Sequence, residues 1–184
     1  MKINNLKNYL LIATPSITDP IFKNTVILIC DYSPEGAMGL IINKPINNEL
    51  ISNIIIDSEL DKLSIDSKIY LGGPIGLDVG FVIHESEYFT SKTLTISDNL
   101  SLTSDNQIMK DIKNGIGPKY FIFTLGYAGW DSGQLDSEIK NGDWIIEKAT
   151  FDFIFNTHHK DKWNISSQNL GIDLNDLSNQ SGLA

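Results

Sequence analysis

Lys119-Tyr-Phe-Ile-Phe-Thr-Leu-Gly126-Tyr-Ala-Gly129-Trp-Asp-Ser-Gly133-Gln134 is the stretch on which the reading of this chain turns. Tyr120 to Leu125 is an apolar, aromatic run of the kind that forms a strand buried on both faces. Gly126, Gly129 and Gly133 follow closely. Glycines so dense after a strand predict a turn, or a backbone packed hard against its neighbour. Beyond them, Leu135 and Ile139 lie four apart on one helical face. Asp131 or Ser132 is placed to cap that helix and Gly142 to stop it. The expected order is strand, glycine turn, short helix.

Such a turn suggests two kinds of chemistry. A helix N-terminus behind glycines offers free N–H groups to an anion. Gly129-Trp130-Asp131-Ser132-Gly133 also has the spacing of a nucleophile elbow with Asp131 at its centre. Against both stands the plainer reading, that the glycines let strand and helix pack closely.

Working outward, Tyr9–Thr14 reads as a first strand ended by Pro15, and Asp19 as the cap of a single turn begun by Pro20. Thr25–Asp31 and Ala37–Asn43 read as a hairpin across Ser33-Pro34-Glu35-Gly36. Glu49–Leu60 has helical spacing of its apolar residues. Lys68–Leu71, Gly80–His84, Thr93–Ser97, Asn99–Thr103 and Asp143–Glu147 read as further strands. Ser104 with Gln107 has capping-box spacing for a helix that ends at Gly115. Phe151–Phe155 fits either a strand or a helix. Lys160–Leu170 predicts a last helix with Trp163 facing inward, and residues 175–184 form a polar tail. A hairpin followed by mixed strands and helices argues for one α+β domain over residues 1–174.

The 184 residues suffice for one good core. The formal net charge is −9, and all basic residues are lysines. Acidity and the lack of arginine's planar fork disfavour direct nucleic-acid binding. Cys30 is the single cysteine and lies in an apolar run, so neither an internal disulfide nor a thiolate metal cluster is expected. The run Tyr9–Ala13 is too short for a membrane span or a signal core, and a cytoplasmic protein is the expectation. No cofactor motif is present: Gly72-Gly73-Pro74 lacks the Gly-Lys-Ser/Thr of a phosphate loop.

Four blocks taken in order resemble the bacterial YqgE/AlgH family. They are Leu10–Ser16 with Asp19–Phe22; Glu35–Pro45; Gly72-Gly73-Pro74 with Gly80–His84; and Gly126–Trp130 with Gly133, Gln134, Leu135 and Glu138. The resemblance implies a single α+β domain with a mixed, mostly antiparallel sheet curled into a pseudo-barrel and flanked by short helices. It brings no established activity, substrate or cofactor. Its AlgH branch implies a role in regulating transcription. This sequence departs from the family pattern at Asp131, where Gly is usual; at Tyr32, where many members have His; and in a tail that ends Gly182-Leu183-Ala184 rather than Gly-His-Ala.

The candidate binding residues are His84, Tyr127, Trp130, Gln134 and Glu138. His84, at a strand end, is either a general base or a hydrogen-bonded residue at the sheet margin. Tyr127 and Trp130 either line a pocket or plug the core beneath a loop. Glu138 is either exposed or an acceptor for a neighbouring loop. His158-His159 reads as a solvated loop or helix start. Two functions follow: a non-enzymatic regulatory protein that binds a small molecule or another protein, or a hydrolase using His84 beside the Gly129–Gly133 turn.

Overall fold

The structure is a computed structural model and describes residues 5–46 and 69–169. The predicted helix Glu49–Leu60, Lys68 and the 175–184 tail lie outside the described residues. Nine strands form one sheet: β1 (Tyr9–Ala13), β2 (Val26–Ser33), β3 (Gly36–Ile41), β4 (Ile69–Leu71), β5 (Ile75–Glu85), β6 (Thr93–Ser97), β7 (Leu100–Thr103), β8 (Phe121–Asp131) and β9 (Trp144–Lys148). Among the described residues four short helices accompany them: α1 (Asn106–Lys113), α2 (Gln134–Asn141), α3 (Phe151–Asn156) and α4 (Lys162–Asn169).

The order across the sheet is β6-β7-β5-β8-β3-β2-β1-β9, with β4 alongside β8. The β4–β8 pair is parallel and every other pair is antiparallel. The sheet curls into a half-barrel in a single domain, the expected α+β architecture.

Strand β8 is where the sheet forks. Its first half lies between β5, through Val82 opposite Phe123, and β4, through Ile69 opposite Phe123. Its second half takes β3 as neighbour, from Gly39 opposite Ala128 to Gly36 opposite Asp131. Between the halves Gly126 has φ +69°. The expected turn after Leu125 is therefore absent. The glycines sit within a strand that runs on to Asp131, because a backbone partner exists on both sides of the kink.

The plainer reading of those glycines holds at Gly126 and Gly73. A Cβ on Gly126 would run into the Gly73 carbonyl oxygen, and one on Gly73 into the Tyr127–Ala128 peptide. The two segments meet backbone to backbone at the fork, where Gly72 N–H donates to Leu125 O at 2.8 Å and Gly72 O accepts from Ile41 N–H at 2.8 Å.

Alternation along β1 and β2 separates two cores. Leu10, Ile12, Val26, Leu28 and Cys30 face one side with Phe153 and Ile154 of α3. Leu11, Ala13, Ile27 and Ile29 face the other with Trp130, Leu135 and Trp144. Both faces are covered, so these strands are continuous apolar runs. A third cluster joins Ile108 and Met109 of α1 to Val82, Phe123 and Leu125. Cys30 is fully enclosed, and burial raises its thiol far above the usual range, as fits an inert core residue.

Two caps differ from expectation. Asp105, not Ser104, caps α1: its carboxylate accepts from Gln107 N–H at 2.9 Å and Ile108 N–H at 3.1 Å. Gly133 occupies the N-cap of α2 at φ +71°, and no side chain caps that helix. Phe151–Asn156 resolves as helix because Thr150 caps it, accepting from Phe153 N–H at 3.2 Å. At its other end Lys162 reaches in from α4 and donates to the carbonyls of Phe153 (2.6 Å), Ile154 (2.8 Å) and Thr157 (2.9 Å). That is a side-chain answer to the free carbonyls of a helix C-terminus. Trp163 faces inward as expected and donates to Ala13 O at 2.8 Å.

A tryptophan and glutamate cleft as candidate functional site

Strand β8 brings Trp130 to the foot of α2, and the α2 spacing of four residues stacks Glu138 over Gln134. Gly142 then reverses the chain at φ +83° and delivers Trp144 at the start of β9. The result is a shared acceptor. Glu138 Oε2 accepts from the indole N–H of Trp130 at 2.8 Å and from that of Trp144 at 2.8 Å. Its Oε1 accepts from Gln134 Nε2 at 2.8 Å, while Gln134 Oε1 accepts from Asp131 N–H at 3.0 Å. Both indoles are almost wholly buried, and each has its single donor satisfied.

A cleft of about 240 Å³ opens beside this carboxylate, lined by Ile17, Phe22, Gly129, Trp130, Gln134, Glu138, Asp143 and Trp144. Trp144 stands nearly perpendicular to both Trp130 (82°, centroids 6.2 Å apart) and Phe22 (87°, 6.1 Å). At the rim, Ser16 Oγ donates to Asp143 Oδ1 at 3.2 Å and Thr14 Oγ1 to Gly142 O at 2.8 Å.

Three of the five candidate residues, Trp130, Gln134 and Glu138, thus meet in one place. The other two lie elsewhere. Tyr127 belongs to the opposite core face and packs edge-on against Phe81 at 6.0 Å. His84, near the end of β5, is fully buried. Its Nδ1–H donates to Glu85 O at 2.7 Å, which leaves Nε2 to accept from Thr103 Oγ1 at 2.8 Å. Thr103 Oγ1 in turn lies 2.7 Å from Thr93 Oγ1, Thr93 Oγ1 accepts from Thr90 N–H at 2.9 Å, and Thr90 Oγ1 donates to Asp105 Oδ2 at 2.8 Å. The imidazole anchors a chain of hydroxyls that ties β5, β6 and β7 to the start of α1.

The Gly129–Gly133 segment is not an elbow. Asp131 is the last residue of β8, opposite Gly36, and Ser132 donates to Pro34 O. Of His158-His159, His158 is exposed on a loop as expected, and only His159 differs. His159 is buried, its ring 5.8 Å from Tyr70 and 4.2 Å from His158. The reading of the sequence missed Trp144 and Phe22. The one available signal was Trp144 opening a strand directly behind the Gly142 helix stop.

Burial holds His84 below its ordinary value of 6.5, outweighing the pull of the Glu85 carbonyl and carboxylate. The folded chain therefore keeps His84 neutral at a pH where the unfolded chain already takes up a proton. Its contribution is complete above pH 6.5 and is lost as the pH falls towards the lower folded value. Urea midpoints measured from pH 7.5 downward are expected to decline through 6.5 in the parent chain, and less steeply in His84→Gln. Parallel declines would remove His84 as the cause.

Among the described residues no helix is long and apolar enough to cross a membrane, and no cluster of His, Cys, Asp and Glu could hold a metal ion. Fold and cleft together define a single-domain α+β half-barrel protein with an aromatic cleft at the α2–β9 corner. The chain belongs to the AlgH-like family, whose model matches residues 10–175.

It is 40% identical to a UPF0301 protein of Shewanella loihica, covering 99% of this chain and 100% of the other. It is 37% identical to a UPF0301 protein of Pseudoalteromonas translucida over the same shares. Among solved structures it resembles the AlgH protein of Pseudomonas aeruginosa, with a TM-score of 0.75 and 31% identity over 100% of this chain and 98% of that one. A Corynebacterium diphtheriae protein shares the fold alone, with a TM-score of 0.69 at 22% identity over 91% and 88%.

Proposed function

We propose that this protein is a non-enzymatic, cytoplasmic binding protein that takes a small molecule into the cleft between α2 and β9. The observation that carries this reading is the convergence of Trp130, Trp144 and Phe22 with Glu138 and Gln134 around one cavity. Small-molecule sites are typically concave, mostly apolar and equipped with few polar groups, as this one is. The hydrolase alternative would need His84 as its base at the cleft. His84 is enclosed, both its ring nitrogens are engaged, and it is absent from the lining. Any influence on transcription would be indirect, through a ligand or partner, since a net charge of −9 opposes the field of DNA.

The test is a thermal-shift screen against a broad metabolite set, with intrinsic fluorescence as a second readout. A ligand at about a hundred times its dissociation constant adds roughly 2.7 kcal/mol, or about 5–10 °C for a chain of this size. Trp163→Phe leaves the two cleft tryptophans as emitters, so a true hit also changes their emission. Hits that leave this emission unchanged, or no hit at all, would overturn the cleft as the binding site.

A further inference from the structure

Among the described residues, the side chains that line the cleft bring negative charge and no positive charge. Glu138 and Asp143 are the two ionisable residues in its lining, and both are acids. The hydrogen-bond partners of the Glu138 carboxylate are two indoles and one amide, all neutral, and that of Asp143 is the Ser16 hydroxyl. Among the described residues no lysine or histidine lines the cavity. A partly buried carboxylate without a cation nearby is electrostatically incomplete, and its attraction for a positive ligand strengthens where water is thin.

The aromatic walls point the same way. Trp144 stands nearly perpendicular to both Phe22 and Trp130, so the lining rings turn a corner instead of forming one flat wall. Aromatic corners hold cations through the negative faces of the rings, and alkylated ammonium groups above all, because such groups need no hydrogen bonds. That last property matters here. Three N–H donors already occupy most of the acceptor capacity of Glu138. The carboxylate has charge to offer and little room for new hydrogen bonds. A primary ammonium or guanidinium would bring donors with few acceptors to meet them.

From the perpendicular rings and the saturated, uncompensated carboxylate we infer that the cleft binds an alkylated ammonium cation. The inference rests on the reading of the cleft as a binding site and adds the chemical class of what enters it.

The probes are choline and its neutral isostere 3,3-dimethylbutan-1-ol, titrated against the full chain. The Trp130 and Trp144 indole N–H resonances and tryptophan emission report binding. Choline is expected to bind about tenfold or more tightly than the isostere. Glu138→Gln, which keeps the side-chain shape and one oxygen but replaces the other oxygen with an amide NH2 and removes the charge, is expected to bring the two affinities within about threefold of each other. If that variant does not fold, Asp143→Asn, at the rim, should narrow the gap in the same direction.

Equal binding of both probes would overturn the cation inference and leave the cleft standing as a binding site. Preference for choline that neither variant reduces would also overturn it. No response of either indole to either probe would overturn the cation inference, while the metabolite screen separately decides whether the cleft binds a ligand at all.

Discussion

Gly126→Ala is expected to lower the thermal midpoint of this protein by roughly 4–20 °C. Two penalties add. A non-glycine residue at φ +69° gives up about 1–2 kcal/mol to contact between its own side chain and backbone. The new Cβ also meets the Gly73 carbonyl oxygen and stands 3.0 Å from that of Ile75. Neither oxygen can swing away, because both belong to backbone fixed at the fork. Forcing these segments apart adds about 1–3 kcal/mol, for a total of about 2–5 kcal/mol. Gly133→Ala is the control. It has the same sign of φ, at +71°, but nothing within 4 Å of its Cβ, so only the first penalty applies. If the two variants unfold within about 1 kcal/mol of each other, the close approach at the fork is not what Gly126 provides.

Glu138→Ala is the second large effect. It leaves the indole N–H groups of Trp130 and Trp144 without an acceptor in surroundings where both rings are almost wholly enclosed. Each orphaned donor costs about 1–3 kcal/mol. The adjoining cleft admits water to at least one of them, so the expected total is about 3 kcal/mol, or roughly 6–12 °C. Glu138→Gln retains one oxygen able to serve both indoles and should lose only about 1 kcal/mol. Chemical denaturation of the two variants side by side checks the ordering. Equal losses would mean that bulk at position 138, rather than the shared acceptor, supports the corner.

Which parts of this molecule could be read in advance follows from how local their causes are. The β2–β3 hairpin was legible because Pro34-Glu35-Gly36 carries the turn in its own chemistry. The α2 stop at Gly142 and the single turn at Asp19 were legible for the same reason; Asp19 Oδ1 accepts from Ile21 N–H at 2.7 Å. The fork was not. Glycine after an apolar run looks the same whether the chain turns there or is pressed against a distant strand, and only Gly73 and β3 decide between the two.

The site divides along the same line. Trp130, Gln134 and Glu138 follow one another at intervals of four, so their meeting is a local event. Trp144 and Phe22 join them through pairings of β9 and β1 that no local pattern announces. His84 and Tyr127 fall away because strand register, a long-range property, turns them towards other partners.

Lys162 has a consequence for covalent chemistry on this protein. It is the one buried lysine among the described residues, and burial pushes its ammonium down to about 8. An amine in that range is a better nucleophile near neutral pH than an ordinary lysine, but here all three of its N–H bonds are committed to carbonyls. Acylating reagents and acetyl donors will therefore mark the surface lysines first. Once α3 and α4 part, the amine leaves its carbonyls and returns to the ordinary lysine range, open to the same reagents for the first time, so the appearance of an adduct at position 162 times the opening of the helix pair.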